Sequence, residues 1–101
     1  MFGFMRRLMG PKTNFKSLQQ AGAIILDVRT PAEYQQGHIP GSLNVAINQV
    51  SLAVADLKKQ NKPVITCCRS GARSAAAAGI LKNAGIEVYN GGAWNELLNQ
   101  L

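Results

Sequence analysis

Short apolar runs alternate along the chain with longer stretches in which apolar residues recur at helical spacing. The apolar runs are AIILDV at 23–28, PVITC at 63–67 and IEVY at 86–89, and all of them contain β-branched residues. Such runs are typical of strands that are buried on both faces. We therefore expect three buried strands separated by helices, an order that produces an α/β fold with a mainly parallel sheet.

The stretches around these strands predict helices. They cover residues 14–22, 30–37, 48–60, 73–84 and 93–101. Gly22 closes the first of them and Gly85 follows the fourth, as expected of residues that end a helix. The third is amphipathic, and its apolar face is expected to consist of Val50, Leu52, Ala53 and Leu57.

The clearest helix start follows the first strand. Thr30 is suited to cap a helix, Pro31 to occupy its first position, and Glu33 to complete a capping box with Thr30. Gly37 is expected to end this helix. Pro40-Gly41 then predicts a turn before a short extended segment.

The composition fits one globular domain. The chain has 101 residues, of which 47% are hydrophobic and 16% charged, and these values suit a folded domain rather than a disordered chain. We assign residues 14–101 to the domain and residues 1–13 to a flexible leader, with a weak membrane-surface contact as the alternative for the leader. Its apolar stretch is too short to span a bilayer, so no integral membrane segment is expected.

The charge points to small anions rather than to nucleic acid. The net charge of +6 comes from eleven Lys and Arg residues scattered along the chain. They form neither a dense basic run nor a basic stripe interleaved with aromatic residues, so nucleic acid binding is not expected. A diffuse positive field is better suited to drawing in a small anionic substrate.

The two cysteines, Cys67 and Cys68, are adjacent. Neighbouring Cα atoms lie about 3.8 Å apart, which is below the roughly 4.4–6.8 Å that a disulfide usually spans. A bond between these two cysteines would be strained, so we expect free thiols. Free thiols predict a reducing compartment, with the cytoplasm as the default.

The segment from Cys68 to Arg73 joins the carboxyl end of a strand to a helix, which is where parallel sheets bind ligands. Gly71 lets the backbone curl, and the first turn of the helix offers amide groups that can face an anion. A cysteine beside such a cradle has a lowered pKa and reacts as a thiolate. Ser70 can add a hydroxyl donor, and Arg69 and Arg73 can attract an anionic substrate.

Two registers compete for the reactive cysteine. Counted from Cys68, the pattern is Cys-x-x-Gly-x-Arg, a tight loop that fits a sulfur atom. Counted from Cys67, the loop has the length found in cysteine phosphatases, but its glycine falls late. No clear general acid is present, since Asp56 and Glu87 are expected on solvated faces. We therefore expect Cys68 to be the nucleophile and Cys67 to pack at its strand end, with a resolving thiol as the alternative role for Cys67.

Three segments occur together in an order that is specific to one family. They are LDVRTPAEYQQGHIPGSLNV, VITCCRSGARSAAAA and NGGAW, and they span about residues 24–94. Together they resemble the rhodanese family of single-domain sulfurtransferases. The resemblance implies a rhodanese-like three-layer fold, with a mainly parallel sheet flanked by helices. The departures are mild: the final helix is short, and Cys67 precedes the expected nucleophile.

The resemblance also implies a reaction. Cys68 would take a sulfane sulfur from a small anionic donor such as thiosulfate, hold it as a persulfide and pass it to a thiophilic acceptor such as cyanide, a thiol or a protein. A protein could also be the donor, and no metal or organic cofactor is implied. The residues expected around the substrate are Arg69, Ser70, Gly71, Ala72, Arg73 and Ser74. The main alternative is a persulfide carrier or binding module, and a phosphatase or arsenate-handling enzyme is a more distant one.

Other polar and aromatic residues are expected to have structural roles. His38 lies in a turn and is expected to make a structural hydrogen bond. Asp27 and Arg29 are expected to brace the end of the first strand, although Asp27 could also orient an arginine of the loop. Trp94 and Gly91-Gly92 are expected to pack and to turn the chain.

Overall fold

In the computed structural model, which describes residues 13–101, a four-stranded sheet lies between two layers of helices. The leader predicted for residues 1–13 lies, except for Thr13, outside the described residues. The strands are Ile24–Asp27 (β1), Leu43–Asn44 (β2), Val64–Cys68 (β3) and Val88–Ala93 (β4). The helices are Phe15–Gln20 (α1), Pro31–Gln35 (α2), Val50–Gln60 (α3), Ala72–Asn83 (α4) and Trp94–Leu98 (α5), and a 3₁₀ turn at Ile47–Gln49 precedes α3.

The sheet is parallel, and its strand order is β2–β1–β3–β4. At its centre β1 pairs with β3, so that Ile24 lies opposite Val64 and Asp27 opposite Cys67. Parallel strands end at the same edge of a sheet, and the residues that follow β1 and β3 therefore come together. The predicted α/β fold with a parallel sheet is confirmed.

The strands send alternate side chains into two apolar cores, one on each face of the sheet. On one face, Leu26 and Val64 pack with the buried residues of α3 and α4. On the other face, Ile25 and Ile65 pack with α1 and with Leu97 of α5. The two helical layers around one sheet confirm the three-layer architecture. No helix within residues 13–101 is long and apolar enough to cross a membrane.

The start of α2 agrees with the prediction. The Glu33 amide donates a hydrogen bond of 3.2 Å to the Thr30 hydroxyl, and the Thr30 amide donates one of 2.9 Å to the Glu33 carboxylate. Pro31 is the first residue of the helix. The capping box is therefore confirmed, and it fixes the place of the Glu33 carboxylate.

Two predictions about helices were wrong in detail. Leu52 was assigned to the apolar face of α3, but 76% of its surface is exposed. At about 100° per residue, Val50, Val54 and Leu57 share one side of the helix, and Leu52 is turned away from the core. The last helix is also shorter than residues 93–101, because it runs only from Trp94 to Leu98.

The course of β4 also differs from the prediction of a strand at 86–89 followed by a turn. The strand continues through Asn90-Gly91-Gly92 and ends at Ala93. Gly91 permits this, because a Cβ at its position would lie 2.8 Å from the Thr66 carbonyl oxygen and 2.8 Å from Leu97 Cδ2. The packing role of Gly91 is confirmed, whereas the turn is replaced by strand.

We expect Gly91→Ala to destabilise the fold by about 1–3 kcal/mol, the usual cost of overpacking. The added methyl group meets the backbone of β3, which cannot move without disturbing the sheet. The free energy of unfolding, measured by urea titration, tests this.

Gly79→Ala is the matched control for this experiment. Gly79 lies in α4, and nothing lies within 4 Å of a Cβ added there. Alanine should stabilise this helix by up to about 1 kcal/mol through its higher helix propensity. Equal changes in the two variants would contradict the close approach at Gly91.

Candidate active site

Cys68 is the last residue of β3, and a short loop leads from it to α4. Gly71 directly precedes α4 and has a φ of +106°, in the left-handed region that glycine adopts without strain. This conformation turns the Gly71 amide back towards the cysteine. Cys68 has no exposed surface, whereas Arg69 and Ser70 are exposed. The Cys68 sulfur thus lies beneath a loop whose outer side chains face solvent.

Hydrogen-bond donors at the start of α4 converge on Cys68 Sγ. The Gly71 amide donates at 2.9 Å and the Ser74 amide at 3.3 Å. The thiol in turn lies 3.5 Å from the Ser74 hydroxyl oxygen, to which it donates. The Thr66 hydroxyl donates to the Ser74 carbonyl at 2.9 Å and ties this first helical turn to β3. N–H groups that converge in this way are suited to holding a sulfur anion.

Opposing effects act on the pKa of the Cys68 thiol. Burial raises it, but the hydrogen bonds from the Ser74 side chain and amide and from the amides of Gly71 and Ser70 lower it. The hydrogen bonds outweigh burial, and the pKa of Cys68 lies below its ordinary value. A larger share of this thiol is therefore ionised near neutral pH than in an unperturbed cysteine.

Cys67 lies in a different environment. Its side chain packs in the opposite core, with Ile25, Ile39 and Leu97, because successive residues of a strand point to opposite faces. Burial raises the pKa of Cys67 to about 12, and the nearby negative charge of Asp27 adds to this shift. Both cysteines are free thiols. The side chain of Cys67 is therefore directed away from the loop that surrounds Cys68.

Arg73 does not extend freely towards the sulfur. Its guanidinium donates two hydrogen bonds to the Glu33 carboxylate, at 2.8 and 3.1 Å. The hydrogen bond from Arg73, followed by that from the Thr30 amide, lowers the pKa of Glu33 to about 2. Arg73 was expected to attract an anionic donor. In the structure its charge is instead neutralised by the Glu33 carboxylate, and this ion pair joins α4 to α2.

Arg69 lines a surface cavity of about 300 Å³ beside the loop. The other residues that line this cavity are Arg29, Glu33, Gln36, Gly37 and Trp94. Of the remaining loop residues, Ser70 is exposed and Ala72 begins α4 with an exposed side chain. Arg69 is therefore the loop cation that faces a space large enough for a small ligand.

The pair at the end of β1 forms a local brace. Arg29 Nε lies 2.9 Å from Asp27 Oδ1, and Arg29 Nη2 lies 2.7 Å from Asp27 Oδ2. The same guanidinium donates to the Gly37 carbonyl at 2.7 Å and lies 4.8 Å from the centre of the Trp94 ring. The predicted brace is confirmed, and Asp27 orients Arg29 rather than an arginine of the loop.

His38 has the structural role that its position predicts. Its Nδ1 lies 2.8 Å from the Tyr34 carbonyl oxygen, and its ring stacks on the Tyr34 ring at 3.7 Å. Within residues 13–101, no cluster of His, Cys, Asp and Glu side chains could hold a metal ion.

Two residues that the sequence analysis did not place near the loop contact it in the structure. Glu33, interpreted only as a helix cap, holds Arg73 from a position forty residues earlier in the chain. Asn90, which directly precedes the predicted turn at Gly91-Gly92, lies 2.7 Å from the Ser74 hydroxyl. No local sequence pattern reveals contacts between such distant residues. The capping box was the one sequence signal that predicted the position of either side chain, that of Glu33.

Comparison with known proteins identifies the family of this chain. The family model for the rhodanese-like domain matches residues 12–96. The thiosulfate sulfurtransferase GlpE of Stutzerimonas stutzeri is 36% identical over 83 residues, which cover 79% of this chain and 73% of that protein. A sulfurtransferase of Allochromatium vinosum is 37% identical over 62 residues, which cover 61% of this chain and 57% of that relative.

A solved structure shows the same architecture. The structure titled rhodanese with anions from E. coli has a TM-score of 0.68 and 31% sequence identity, and the match covers 74% of this chain and 91% of that one. The strand order and helical layers described above are therefore those of a fold already known in proteins of this kind.

We expect Glu33→Gln to lose stability because it removes the charge that binds Arg73. Glutamine keeps the capping box, so the loss reports mainly the ion pair, about 1 kcal/mol for a partly exposed bidentate pair. The pKa of Glu33 falls from 4.5 to about 2 on folding. The contribution is thus fully present above pH 4.5 and lost as the pH falls to about 2.

Thermal unfolding of both proteins across this pH range measures the effect. The difference between wild type and Glu33→Gln should be largest near neutral pH and should disappear near pH 2. Glu96→Gln makes the same chemical change in α5, where the carboxylate has no ion-pair partner among the described residues. A pH-independent difference for Glu33→Gln would show that the ion pair contributes nothing.

Proposed function

Because the chain belongs to the rhodanese-like domain family, we propose that it is a sulfurtransferase in which Cys68 carries a sulfane sulfur as a persulfide. The observation that carries this proposal is the convergence of the Gly71 amide and the Ser74 amide and hydroxyl on Cys68 Sγ. These groups stabilise a sulfur anion at a site where water is excluded. A persulfide ends in such an anion, one sulfur further from the backbone.

The proposed reaction has two steps. In the first, the Cys68 thiolate attacks the outer sulfur of a donor such as thiosulfate. The sulfur–sulfur bond of the donor breaks, sulfite leaves with the bonding electrons, and Cys68 becomes a persulfide. In the second, a thiophilic acceptor such as cyanide or a thiolate attacks the outer sulfur. The persulfide bond then breaks, and Cys68 returns to the thiolate form.

The surrounding residues have distinct roles in this scheme. The Ser74 hydroxyl and the amides of Ser74, Gly71 and Ser70 stabilise the charge on sulfur and therefore lower the pKa of Cys68. Arg69 is exposed and lines the adjacent cavity, so we assign it the attraction of the anionic donor. Arg73 keeps the start of α4 in place through Glu33.

Thiosulfate is the donor that we propose first. The relative from Stutzerimonas stutzeri is named a thiosulfate sulfurtransferase, and its match covers 79% of this chain. A protein acceptor or donor is compatible with the same chemistry, because Arg69 and Ser70, which directly follow the buried Cys68, are exposed. A persulfide carrier with little turnover of small donors would use the same cysteine.

The phosphatase and arsenate-handling alternatives require Cys67 as the nucleophile. The pKa of Cys67 is raised to about 12, and its side chain packs in the core on the other face of the sheet. Both observations disfavour that register.

The cytoplasmic location predicted from the free thiols stays a prediction.

Intact mass spectrometry after incubation with thiosulfate tests the proposal. Wild type and Cys67→Ala should each gain one sulfur atom, and Cys68→Ser should gain none. Treatment with cyanide should remove the added sulfur and release thiocyanate.

Two results would argue against the proposal in different ways. If wild type gains no sulfur from thiosulfate but gains one from a protein persulfide, the chain is a carrier rather than a thiosulfate enzyme. If the adduct persists in Cys68→Ser and disappears in Cys67→Ala, the nucleophile has been misassigned.

A further inference from the structure

The Ser74 hydroxyl has more acceptors around it than it has protons. Its oxygen lies 2.7 Å from Asn90 Oδ1, 3.0 Å from the Gly71 carbonyl oxygen and 3.5 Å from Cys68 Sγ. The first two are acceptors only, and the sulfur becomes an acceptor when it is ionised. The single hydroxyl proton can therefore satisfy one of these atoms at a time. Ser74 is fully buried, so no water completes the set.

Asn90 is held with its oxygen directed at this hydroxyl. The Gly92 amide donates to Asn90 Oδ1 at 3.0 Å, which fixes the oxygen rather than the NH₂ group on this side. Asn90 lies in β4, and the neighbouring Gly92 lies close to Gly71, since a Cβ added at Gly71 would be 3.7 Å from Gly92 Cα. The end of β4 thus forms one wall of the Cys68 site.

We propose that Asn90 is a positioning residue for Cys68, which it influences through the Ser74 hydroxyl. When the sulfur carries a proton, the thiol donates to Ser74 and the Ser74 hydroxyl donates to Asn90. When the thiol ionises, its proton leaves to solvent and the electron pair stays on sulfur. The Ser74 hydroxyl then turns from Asn90 to the sulfur anion, and Asn90 retains the hydrogen bond from Gly92.

The Gly71 carbonyl is a more distant competitor for the hydroxyl proton. Each of the two oxygens already accepts one amide at 3.0 Å, that of Ala75 at the Gly71 carbonyl and that of Gly92 at Asn90. The two acceptors differ in distance, since the Ser74 hydroxyl oxygen lies 2.7 Å from Asn90 Oδ1 and 3.0 Å from the Gly71 carbonyl oxygen. Asn90 is therefore the acceptor that decides how readily the hydroxyl turns to the sulfur.

Charged groups near the sulfur stay the same when Asn90 is changed. They are Arg69 in the loop, Asp27 at the end of β1, and Arg73 at the start of α4 with its partner Glu33 on α2. Cys67 can titrate, but its raised pKa keeps it neutral near neutral pH. Within β4, Asn90-Gly91-Gly92 adds no titratable group. A change in the pKa of Cys68 on substitution of Asn90 therefore results from a new orientation of the Ser74 hydroxyl or, in Asn90→Asp, from the added charge.

Two variants of Asn90 should change Cys68 in opposite directions. Asn90→Ala removes the competing acceptor, so the hydroxyl turns to the sulfur and the pKa of Cys68 should fall by about 0.5, or threefold in the ionisation constant. Asn90→Asp keeps the oxygen but adds a negative charge, so the pKa should rise by about 1, or tenfold.

The readout is the ultraviolet absorbance of the thiolate during a pH titration. It is measured in the Cys67→Ala background, so that one thiol titrates, with Cys68→Ser as the blank. Asn95→Asp is the matched control, since it adds the same charge at the start of α5, where Asn95 Oδ1 accepts a hydrogen bond from the Glu96 amide and not from Ser74. It should leave the titration of Cys68 unchanged.

A second background separates a role through Ser74 from a general loss of structure. In Ser74→Ala the hydroxyl is absent, and Asn90→Ala should then produce no shift. The proposal is overturned if Asn90→Ala and Asn90→Asp shift the pKa in the same direction, if neither shifts it, or if the Asn90→Ala shift persists without Ser74. Asn90→Asp retains the acceptor for Gly92, so it remains informative if Asn90→Ala does not fold.

This inference rests on the proposed use of Cys68 as the nucleophile, but its test does not depend on sulfur transfer. The titration measures ionisation without a donor or an acceptor. A protein that forms no persulfide can still show the opposite shifts, and a protein that forms one can fail to show them. The two proposals therefore fail separately.

Discussion

The Cys68 sulfur is enclosed by protein, and the arrangement of the site follows from this burial. Burial removes the water that would stabilise a thiolate, and by itself it raises the pKa of the thiol. The chain compensates with N–H groups at the start of α4, which reach the sulfur because Gly71 has a positive φ. The anion is thus stabilised by the Ser74 hydroxyl and by backbone N–H groups, which are held in place by the helix and do not titrate near neutral pH.

Full charges contribute to the site mainly by holding its parts together. Arg29 is bound to Asp27, and Arg73 is bound to Glu33, so that two of the arginines at this edge of the sheet are neutralised. The first pair braces the end of β1, and the second joins the loop helix to α2. Arg69 makes no ion pair among the described residues and faces the adjacent cavity. The net charge of +6 is therefore a poor guide to where an anion binds.

Local sequence signals predicted the elements whose formation depends on neighbouring residues. The β-branched runs gave β1 and β3, and Thr30, Pro31 and Glu33 gave the start of α2. Errors arose where packing decided the outcome. β4 continues through a segment that contains two glycines, because Gly91 fits against β3. Leu52 is apolar but faces solvent, because the side of α3 that meets the sheet is set by other residues.

The sequence by itself determined the alternation of strands and helices and the position of a cysteine where a strand meets a helix, because these depend on the periodicity and propensities of adjacent residues. Only the tertiary structure decided that Glu33 binds Arg73 and that Asn90 meets Ser74. These contacts join residues that are far apart in the chain. They exist because the parallel sheet brings its strand ends to a common edge, a condition that no single segment encodes.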